Sequence, residues 1–328
     1  MKPSGWITKV GLISMFELLP IATTENFSES AYLAANPDVR DAVNRGLFAC
    51  GRDHFDVFGH RESRRLALTE IGVFHNLKQK KLASIEPLLR ADLPFEKRES
   101  CYDFLTPELR AEFSIIDTSA VSSNGYDGEI IELIQRNDVV LDCGAGYRPT
   151  YYENVVNFEI VEYPSTDVVG VGEVLPFKDA TFDAVISNAV LEHVKYPWVC
   201  AAEIVRVLKP GGELFCSVPF LQPLHGYPHH YFNMTSSGLK TVFGDEIEVV
   251  SQYVAESTLP IWSLSWILRN WHDGLPESER QGFSELTVGE LMGSPESFLE
   301  RPFVTQLPEE KNFELASATV LLGRKKSA

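Results

Sequence analysis

The sequence is short of positive charge and of long apolar runs. Its 328 residues include 29 lysines and arginines against 46 aspartates and glutamates, a formal net charge of −17. Such a surface repels phosphate backbones, so we expect no nucleic-acid partner. No stretch approaches the ~20 apolar residues of a membrane-spanning helix. Glu17 interrupts the apolar residues 10–19, and no convincing cleavage site follows. These features predict a cytoplasmic protein.

Cysteine is also scarce and lacks a pattern. The cysteines are Cys50, Cys101, Cys143, Cys200 and Cys216. They are odd in number and show no CxxC spacing, which argues against a disulfide framework and against a cysteine zinc site. We expect free thiols in a reducing compartment.

The first part of the chain has the pattern of short helices. Asn36 and Pro37 can begin one helix, which Gly46 can end. A second short helix would turn Phe55 and Phe58 inward. We predict an N-terminal helical module over residues 1–67 and a helical linker region over residues 68–125. The module resembles a small helical unit that accompanies various bacterial enzymes and surface proteins.

The pattern changes at about residue 126, where short apolar runs begin to alternate with helical stretches. This alternation predicts a doubly wound, mostly parallel, seven-stranded α/β sheet in a domain over residues 126–328. The predicted strands are residues 139–141, 155–159, 168–169, 184–187 and 213–218, with 247–254 and 315–322 at one edge. A helical insertion over residues 257–312 precedes the last strand.

A glycine-rich turn ends the first of these strands. Asp142 is followed by Cys143 and by Gly144-Ala145-Gly146. Open α/β sheets bind ligands at the carboxyl ends of their strands, and glycine lets the backbone approach a ligand closely. A dinucleotide fingerprint requires a third glycine where this chain has Pro149. A nicotinamide-dependent oxidoreductase is therefore disfavoured.

Several stretches share a further resemblance over roughly residues 126–256. They are VVLDCGAGYRP, NFEI, LPFKDATFDAVISNAVLEHVKYPW, AAEIVRVLKPGGELFCSVPF and HGYPHHYFNMT. In this order they resemble the class I S-adenosylmethionine-dependent methyltransferases, particularly their type 11 branch. The resemblance implies a Rossmann-like fold, methyl transfer, and S-adenosyl-L-methionine as the cofactor.

The resemblance also implies which residues hold the cofactor. Gly144, Ala145 and Gly146 would lie under its methionine and ribose portions. Asp142 would hold the ammonium group, since a carboxylate suits that cation. Glu159 would accept hydrogen bonds from the two ribose hydroxyls.

The adenine contacts depart from the family pattern. Val171 stands where relatives commonly carry an acidic residue, and Glu173 follows two positions later. Either Glu173 substitutes for that acid, or adenine is read by backbone groups only. Val174 and Leu175 would add apolar contacts, and Asn188 would lie beside the sulfonium.

The acceptor side offers histidines. His225 and His229 lie in the loop after the fifth strand, and the ordinary imidazole pKa of ~6.5 suits a general base for a hydroxyl acceptor. Packing within the loop is an equal alternative. His193, in the Leu-Glu-His stretch, is a weaker catalytic candidate than a structural one. We expect no metal site, because no carboxylate or thiolate partner stands at a fitting spacing.

The insertion is rich in tryptophan. Trp262, Trp266 and Trp271 make one helix apolar around much of its surface, so it needs cover from the core, from an acceptor or from a second subunit. A lid and a homodimer both stay open. We predict methyl transfer to an oxygen or nitrogen of a small molecule or glycan, with a sugar or cell-envelope precursor suggested by association alone. The alternative is an inactive methyltransferase fold that binds or regulates.

Overall fold

The computed structural model describes residues 15–17, 22–62, 64–66, 71–115, 125–226 and 229–326. Residues 10–14 and 18–19 of the apolar N-terminal stretch lie outside these ranges, as do 67–70 and 116–124 of the predicted linker and 227–228 of the acceptor loop. The chain divides into two compact units, Met1–Ser217 and Val218–Ala328. None of the helices in the described ranges combines the length and apolar character that a membrane crossing requires.

Most strands belong to one sheet in the first unit. The strands are β1 Met15–Glu17, β2 Glu96–Lys97, β3 Tyr102–Asp103, β4 Val140–Cys143, β5 Thr150–Tyr152, β6 Val155–Glu159, β7 Val168–Val169, β8 Phe182–Asn188 and β9 Leu208–Ser217. Seven of them form a sheet in the order β2-β3-β7-β6-β4-β8-β9. Only β2 and β3 pair antiparallel within it. The predicted doubly wound, mostly parallel seven-stranded α/β sheet is confirmed.

Helices occur in both units. They are α1 Glu29–Ala35, α2 Pro37–Asn44, α3 Gly51–His54, α4 Ile71–Ile85, α5 Pro107–Glu112, α6 Gly128–Arg136, α7 Pro197–Val207, α8 Ser236–Phe243, α9 Pro260–Gly274, α10 Glu277–Ser284, α11 Val288–Leu291, α12 Pro302–Thr305 and α13 Glu309–Leu315. Short 3₁₀ turns occur at Glu86–Leu88, Leu191–His193, Gly244–Glu246, Glu256–Thr258 and Pro295–Phe298.

The two strands at one edge of the sheet differ from the prediction. Strands β2 and β3 come from the predicted helical linker, whereas residues 247–254 and 315–322 contain no strand. Val250 and Leu321 are each 93% exposed. The C-terminal edge strands are therefore wrong, because β propensity depends on a partner and a buried face more than on the residues themselves. Strands β2 and β3 have two residues each and lack the apolar pair that marks the equally short β7.

The N-terminal helices surround a small apolar core. Tyr32, Val39 and Phe55 are buried in it. Gly46 has a φ of +76° at the end of α2, as predicted. Phe58 is 46% exposed, however, and its predicted inward position is wrong. Helix α3 continues into a π-helical turn over Phe55–Gly59, whose wider winding changes which residues share a face.

Helix α4 fastens to the sheet through two buried lysines. Lys81 Nζ lies 2.6 Å from Asp167 Oδ2 and 3.8 Å from the centre of the Tyr151 ring. Lys78 Nζ donates to the carbonyls of Pro164 and Thr166 at 2.5 and 2.8 Å. These contacts bind the helix to the segment that leads into β7.

The second unit is helical in its described part. Helices α9 to α13 enclose an apolar core that includes Leu275, Phe283 and Phe303. Because no strand follows them in the described residues, they do not form an insertion before a last strand. Trp271 packs against this core, and its Nε1 donates to Phe303 O at 2.7 Å. Trp262 on the same helix is 60% exposed. Core packing therefore accounts for only one side of α9.

Candidate functional site

The glycine turn follows β4 and is attached to β6. Gly144 and Gly146 have φ values of +89° and +60°, in the left-handed region that favours glycine. The backbone N–H groups of Gly144 and Ala145 both donate to Phe158 O, at 2.9 and 3.0 Å. A Cβ on Gly144 would lie 2.5 Å from Val190 Cγ2. Any side chain at position 144 would therefore meet the turn that follows β8.

Glu159 ends β6 and is bound to the glycine turn. Its Oε2 accepts from Gly146 N at 2.6 Å, and its Oε1 accepts from Ile160 N at 2.7 Å. Burial raises the pKa of Glu159 to about 6, although the two backbone donors act in the opposite direction. The fold thus brings this predicted acid next to the predicted glycines.

Asp142 is buried and carries an ion pair that the sequence analysis did not anticipate. Its Oδ2 lies 2.7 Å from both Nε and Nη2 of Arg148 and also accepts from the Tyr126 hydroxyl. The guanidinium lies over the Tyr126 ring, 4.1 Å from its centre. Asp142 Oδ1 has no hydrogen-bond partner in the described part of the chain. A buried carboxylate requires a cation, and Arg148, six residues later, supplies it; only the fold shows that the two side chains meet.

The carboxyl end of β8 lies at the same edge of the sheet. Asp142 is in register with Ile186, so Asn188 lies two residues further toward that edge. The next residue, Ala189, has a φ of +57°, which is strained for a side chain with a Cβ. Its N–H donates to Ser217 O at 2.9 Å. The strained turn directs Val190 against Gly144.

Glu192 follows this turn and is fully buried. Neither of its carboxylate oxygens accepts a hydrogen bond from a described residue. Its nearest basic neighbour on the same turn is His193, with Nε2 3.8 Å from Glu192 Oε1. Burial raises the pKa of Glu192 to about 8. The sequence analysis assigned no chemistry to this acid, since only the fold shows that it is buried.

The predicted adenine residues have other contacts. Val171 packs in a buried apolar cluster that includes Cys101. The Glu173 carboxylate accepts from Tyr196 N at 3.3 Å, just before α7, and burial raises its pKa. Val174 is half-buried and Leu175 is completely buried. Glu173 is thus bound to backbone at the start of α7, and both predicted ways of reading adenine stay predictions.

Two predicted catalytic histidines belong to the second unit. His225 Nδ1 lies 2.8 Å from Pro223 O, and its ring centre is 4.5 Å from that of His230 and 5.1 Å from that of Trp266. The His229 ring centre lies 5.3 Å from that of Tyr231. The catalytic roles of His225, His229 and His193 stay predictions.

Comparison with known proteins points to one family. Residues 143–216 match a family model described as a methyltransferase domain. An uncharacterized methyltransferase of Mycobacterium marinum is 45% identical over 65 residues, 20% of this chain and 26% of that protein. One of Mycolicibacterium gilvum is 31% identical over 113 residues, 28% of this chain and 44% of that protein.

Among solved structures, the YcgJ protein of Bacillus subtilis aligns with a TM-score of 0.33 and 16% identity, over 52% of this chain and 85% of that one. The chain spans less than half the length of the curated relatives named above. Residues 143–216 therefore carry the sequence of a methyltransferase domain, and the resemblance to class I methyltransferases is confirmed.

Proposed function

We propose that the protein transfers a methyl group from S-adenosyl-L-methionine to an oxygen or nitrogen of a small molecule. The observation that carries the proposal is the joined arrangement of Asp142, Gly144, Gly146 and Glu159 at the carboxyl ends of β4 and β6. This edge is where open α/β sheets bind their ligands.

The residues present fit that cofactor. Asp142 Oδ1 is a buried acceptor without a partner, and an ammonium group would satisfy it. Each carboxylate oxygen of Glu159 accepts one hydrogen bond from a backbone N–H. Each has a further lone pair that can accept from a ribose hydroxyl. When bound, S-adenosylmethionine would supply an electrophilic methyl group on a sulfonium sulfur.

The chain's own task is then to position an acceptor. In-line transfer gains most of its rate from holding two reactants together, and Asn188 at the end of β8 suits this alignment. A hydroxyl acceptor would also need a base, for which His193, His225 and His229 remain the candidates. The charge of −17 favours a small or uncharged acceptor in the cytoplasm over a nucleic acid. A sugar or cell-envelope precursor stays a proposal by association.

Calorimetric titration with S-adenosylmethionine tests the cofactor site. We expect the wild-type protein to bind and Glu159→Gln to bind about tenfold or more weakly, because the amide loses the charged acceptor. Glu132→Gln, on the exposed side of α6, is the matched control and should bind like wild type. Gly144→Arg would not test the cofactor site alone, because its side chain would collide with Val190 and disturb the fold. Equal affinity of Glu159→Gln and Glu132→Gln would refute the assignment.

The second candidate is a protein of this fold that binds or regulates without catalysis. It is favoured by Val171, whose position in the core leaves no acid where relatives place one for adenine. A folded wild-type protein that gives no heat with S-adenosylmethionine would support this candidate and remove the enzymatic one.

A further inference from the structure

A buried acid without a partner lies beyond the proposed cofactor residues. The Glu192 side chain is completely buried, and both of its oxygens lack a hydrogen-bond partner among the described residues. No lysine or arginine in the described ranges forms an ion pair with it, and His193 is 3.8 Å away. Buried carboxyl groups without partners are rare because each costs free energy. A ligand that donates hydrogen bonds would satisfy the Glu192 carboxyl group.

A second buried oxygen atom, Oγ of Ser187, lies beside the thiol of Cys216. Ser187 Oγ is buried and accepts no hydrogen bond from an N–H or O–H group of the described residues. Ser187 on β8 is in register with Cys216 on β9. Burial raises the pKa of the Cys216 thiol to about 12; the Ser187 hydroxyl beside it acts in the opposite direction, and the nearby Glu192 carboxyl acts in the same direction as burial. Ser187 and Glu192 thus both neighbour Cys216, at the carboxyl ends of two adjacent strands.

This polar cluster is connected to the glycine turn by a strained backbone. Ala189, between Ser187 and Glu192 in the chain, is held at a φ of +57°. Val190 then packs so closely on Gly144 that a Cβ there would lie 2.5 Å from Val190 Cγ2. Strain of this kind persists where the surrounding structure requires one geometry, and it concentrates at functional sites. The segment that carries Ser187 and Glu192 therefore packs directly against the glycine turn.

We propose that Ser187 and Glu192 bind the methyl acceptor, and that this acceptor is a primary or secondary amine that arrives as an ammonium. The inference rests on the proposed function and narrows its acceptor class. Three oxygen atoms of Ser187 and Glu192 accept from no N–H or O–H group of the described residues, and a primary ammonium offers three N–H groups, whereas a hydroxyl offers one. An ammonium also neutralises the buried carboxylate, and a chain of net charge −17 attracts cations.

Glu192 is also suited to the proton that such an acceptor must lose. An ammonium has no lone pair for attack on a methyl group, so one proton must leave the nitrogen first. The carboxylate takes this proton: an ammonium and Glu192 carboxylate become a neutral amine and a Glu192 carboxylic acid. Because burial raises the pKa of Glu192 to about 8, its carboxyl group is mainly the acid near neutral pH when the site is empty. It ionises when it pairs with an ammonium, and the acid forms again when it takes the proton.

Titration with two probes of equal size tests the site. Propylammonium and 1-propanol share the propyl chain and differ in charge and in the number of hydrogens that they donate. Both are titrated into the cofactor-free protein in the presence of EDTA, which keeps metal ions from the carboxylate. We expect propylammonium to bind at least about tenfold more tightly than 1-propanol. Glu192→Gln should weaken propylammonium binding by about tenfold to a hundredfold, and Ser187→Ala by several-fold. Glu132→Gln should leave it unchanged.

The outcomes separate this inference from the proposed function. S-adenosylmethionine is titrated into the same variants, and its affinity should be unchanged in Glu192→Gln, which also shows that the variant is folded. Equal binding of the two probes, or equal binding of propylammonium by wild type and Glu192→Gln, would overturn the amine site while leaving the cofactor site standing. If the wild-type protein does not bind S-adenosylmethionine, the proposed function is overturned instead.

Discussion

Among single residues, Glu159 shows how strongly position alters an acid. Its pKa is about 6 in the folded chain against an ordinary value of 4.5, because it is buried. The folded state therefore holds this proton more tightly than the unfolded state. Stability from this group is lost as the pH rises from about 4.5 through 6, by about 2 kcal/mol in total.

Glu159→Gln should remove this loss. The quantity to compare is the free energy of unfolding of the variant minus that of wild type. We expect this difference to be about 2 kcal/mol more positive at pH 7 than at pH 4.5. Urea unfolding at the two pH values measures the difference. A difference that does not vary with pH would contradict the raised pKa of Glu159.

Arg148 offers a second prediction about a buried charge. Arg148→Met leaves the Asp142 carboxylate buried without its cation, and we expect a loss of about 3–5 kcal/mol in the free energy of unfolding. The double variant Arg148→Met with Asp142→Asn should recover part of this loss, since no buried charge remains. Arg136→Met, which breaks an exposed pair with Glu213, should cost no more than about 1 kcal/mol. Equal losses for the two arginine variants would contradict the argument.

At the scale of elements, the turns after β4 and β8 fit together without room for a methyl group. Gly144→Ala should lower the free energy of unfolding by about 1–3 kcal/mol, because it adds both a strained φ and a contact with Val190. Gly128→Ala is the control, since a Cβ there meets no atom within 4 Å, and it should be neutral or slightly stabilising. Chemical unfolding measures both variants.

Adding Val190→Ala separates the two causes. We expect the Gly144→Ala loss to shrink by about 1 kcal/mol in the Val190→Ala background, because the contact is relieved while the strained φ remains. Strict additivity of the two substitutions would show that Val190 does not restrict position 144.

The elements with a strong local pattern were predictable from sequence. Strands β6 and β7 have the predicted bounds, and β4 and β8 differ by one or two residues, because apolar runs of a parallel sheet are continuous and end at glycine or polar residues. Strand β9 begins five residues earlier than predicted, and its register against β8 shifts between the pairs Phe182–Leu208 and Ala184–Glu213. Strands β2 and β3 at the other edge were not predictable, because their pairing depends on distant partners.

The candidate site was predictable only in part, for a related reason. Asp142, Gly144, Gly146 and Glu159 follow one another at strand ends, where topology alone brings them to one edge. The pairing of Arg148 with Asp142 depends on where the loop after Gly146 folds back. Likewise, Glu192 stands next to a histidine in a polar stretch, and no periodicity marks it as buried.

At the scale of the whole molecule, the charge of −17 acts on the compact state. Like charges repel one another more strongly when the chain is folded, and salt screens this repulsion. We expect the free energy of unfolding at pH 7.5 to rise between 20 and 200 mM NaCl. Near the isoelectric point of about 4.9 the same change of salt should have little effect. Equal salt dependence at both pH values would show that net charge is not the cause.

The pairing of β1 with β5 has a consequence for the order in which the chain folds during synthesis. Residues Met15–Glu17 are translated early, but their partner Thr150–Tyr152 leaves the ribosome only after the N-terminal helices and the glycine turn. The N-terminal helices have a core of their own and need not wait for it. Closing so long a loop is slow, because its entropy is lost before the contact forms. A nascent chain arrested before residue 150 should therefore expose its N-terminal segment to added protease, and one arrested after the first unit has emerged should protect it.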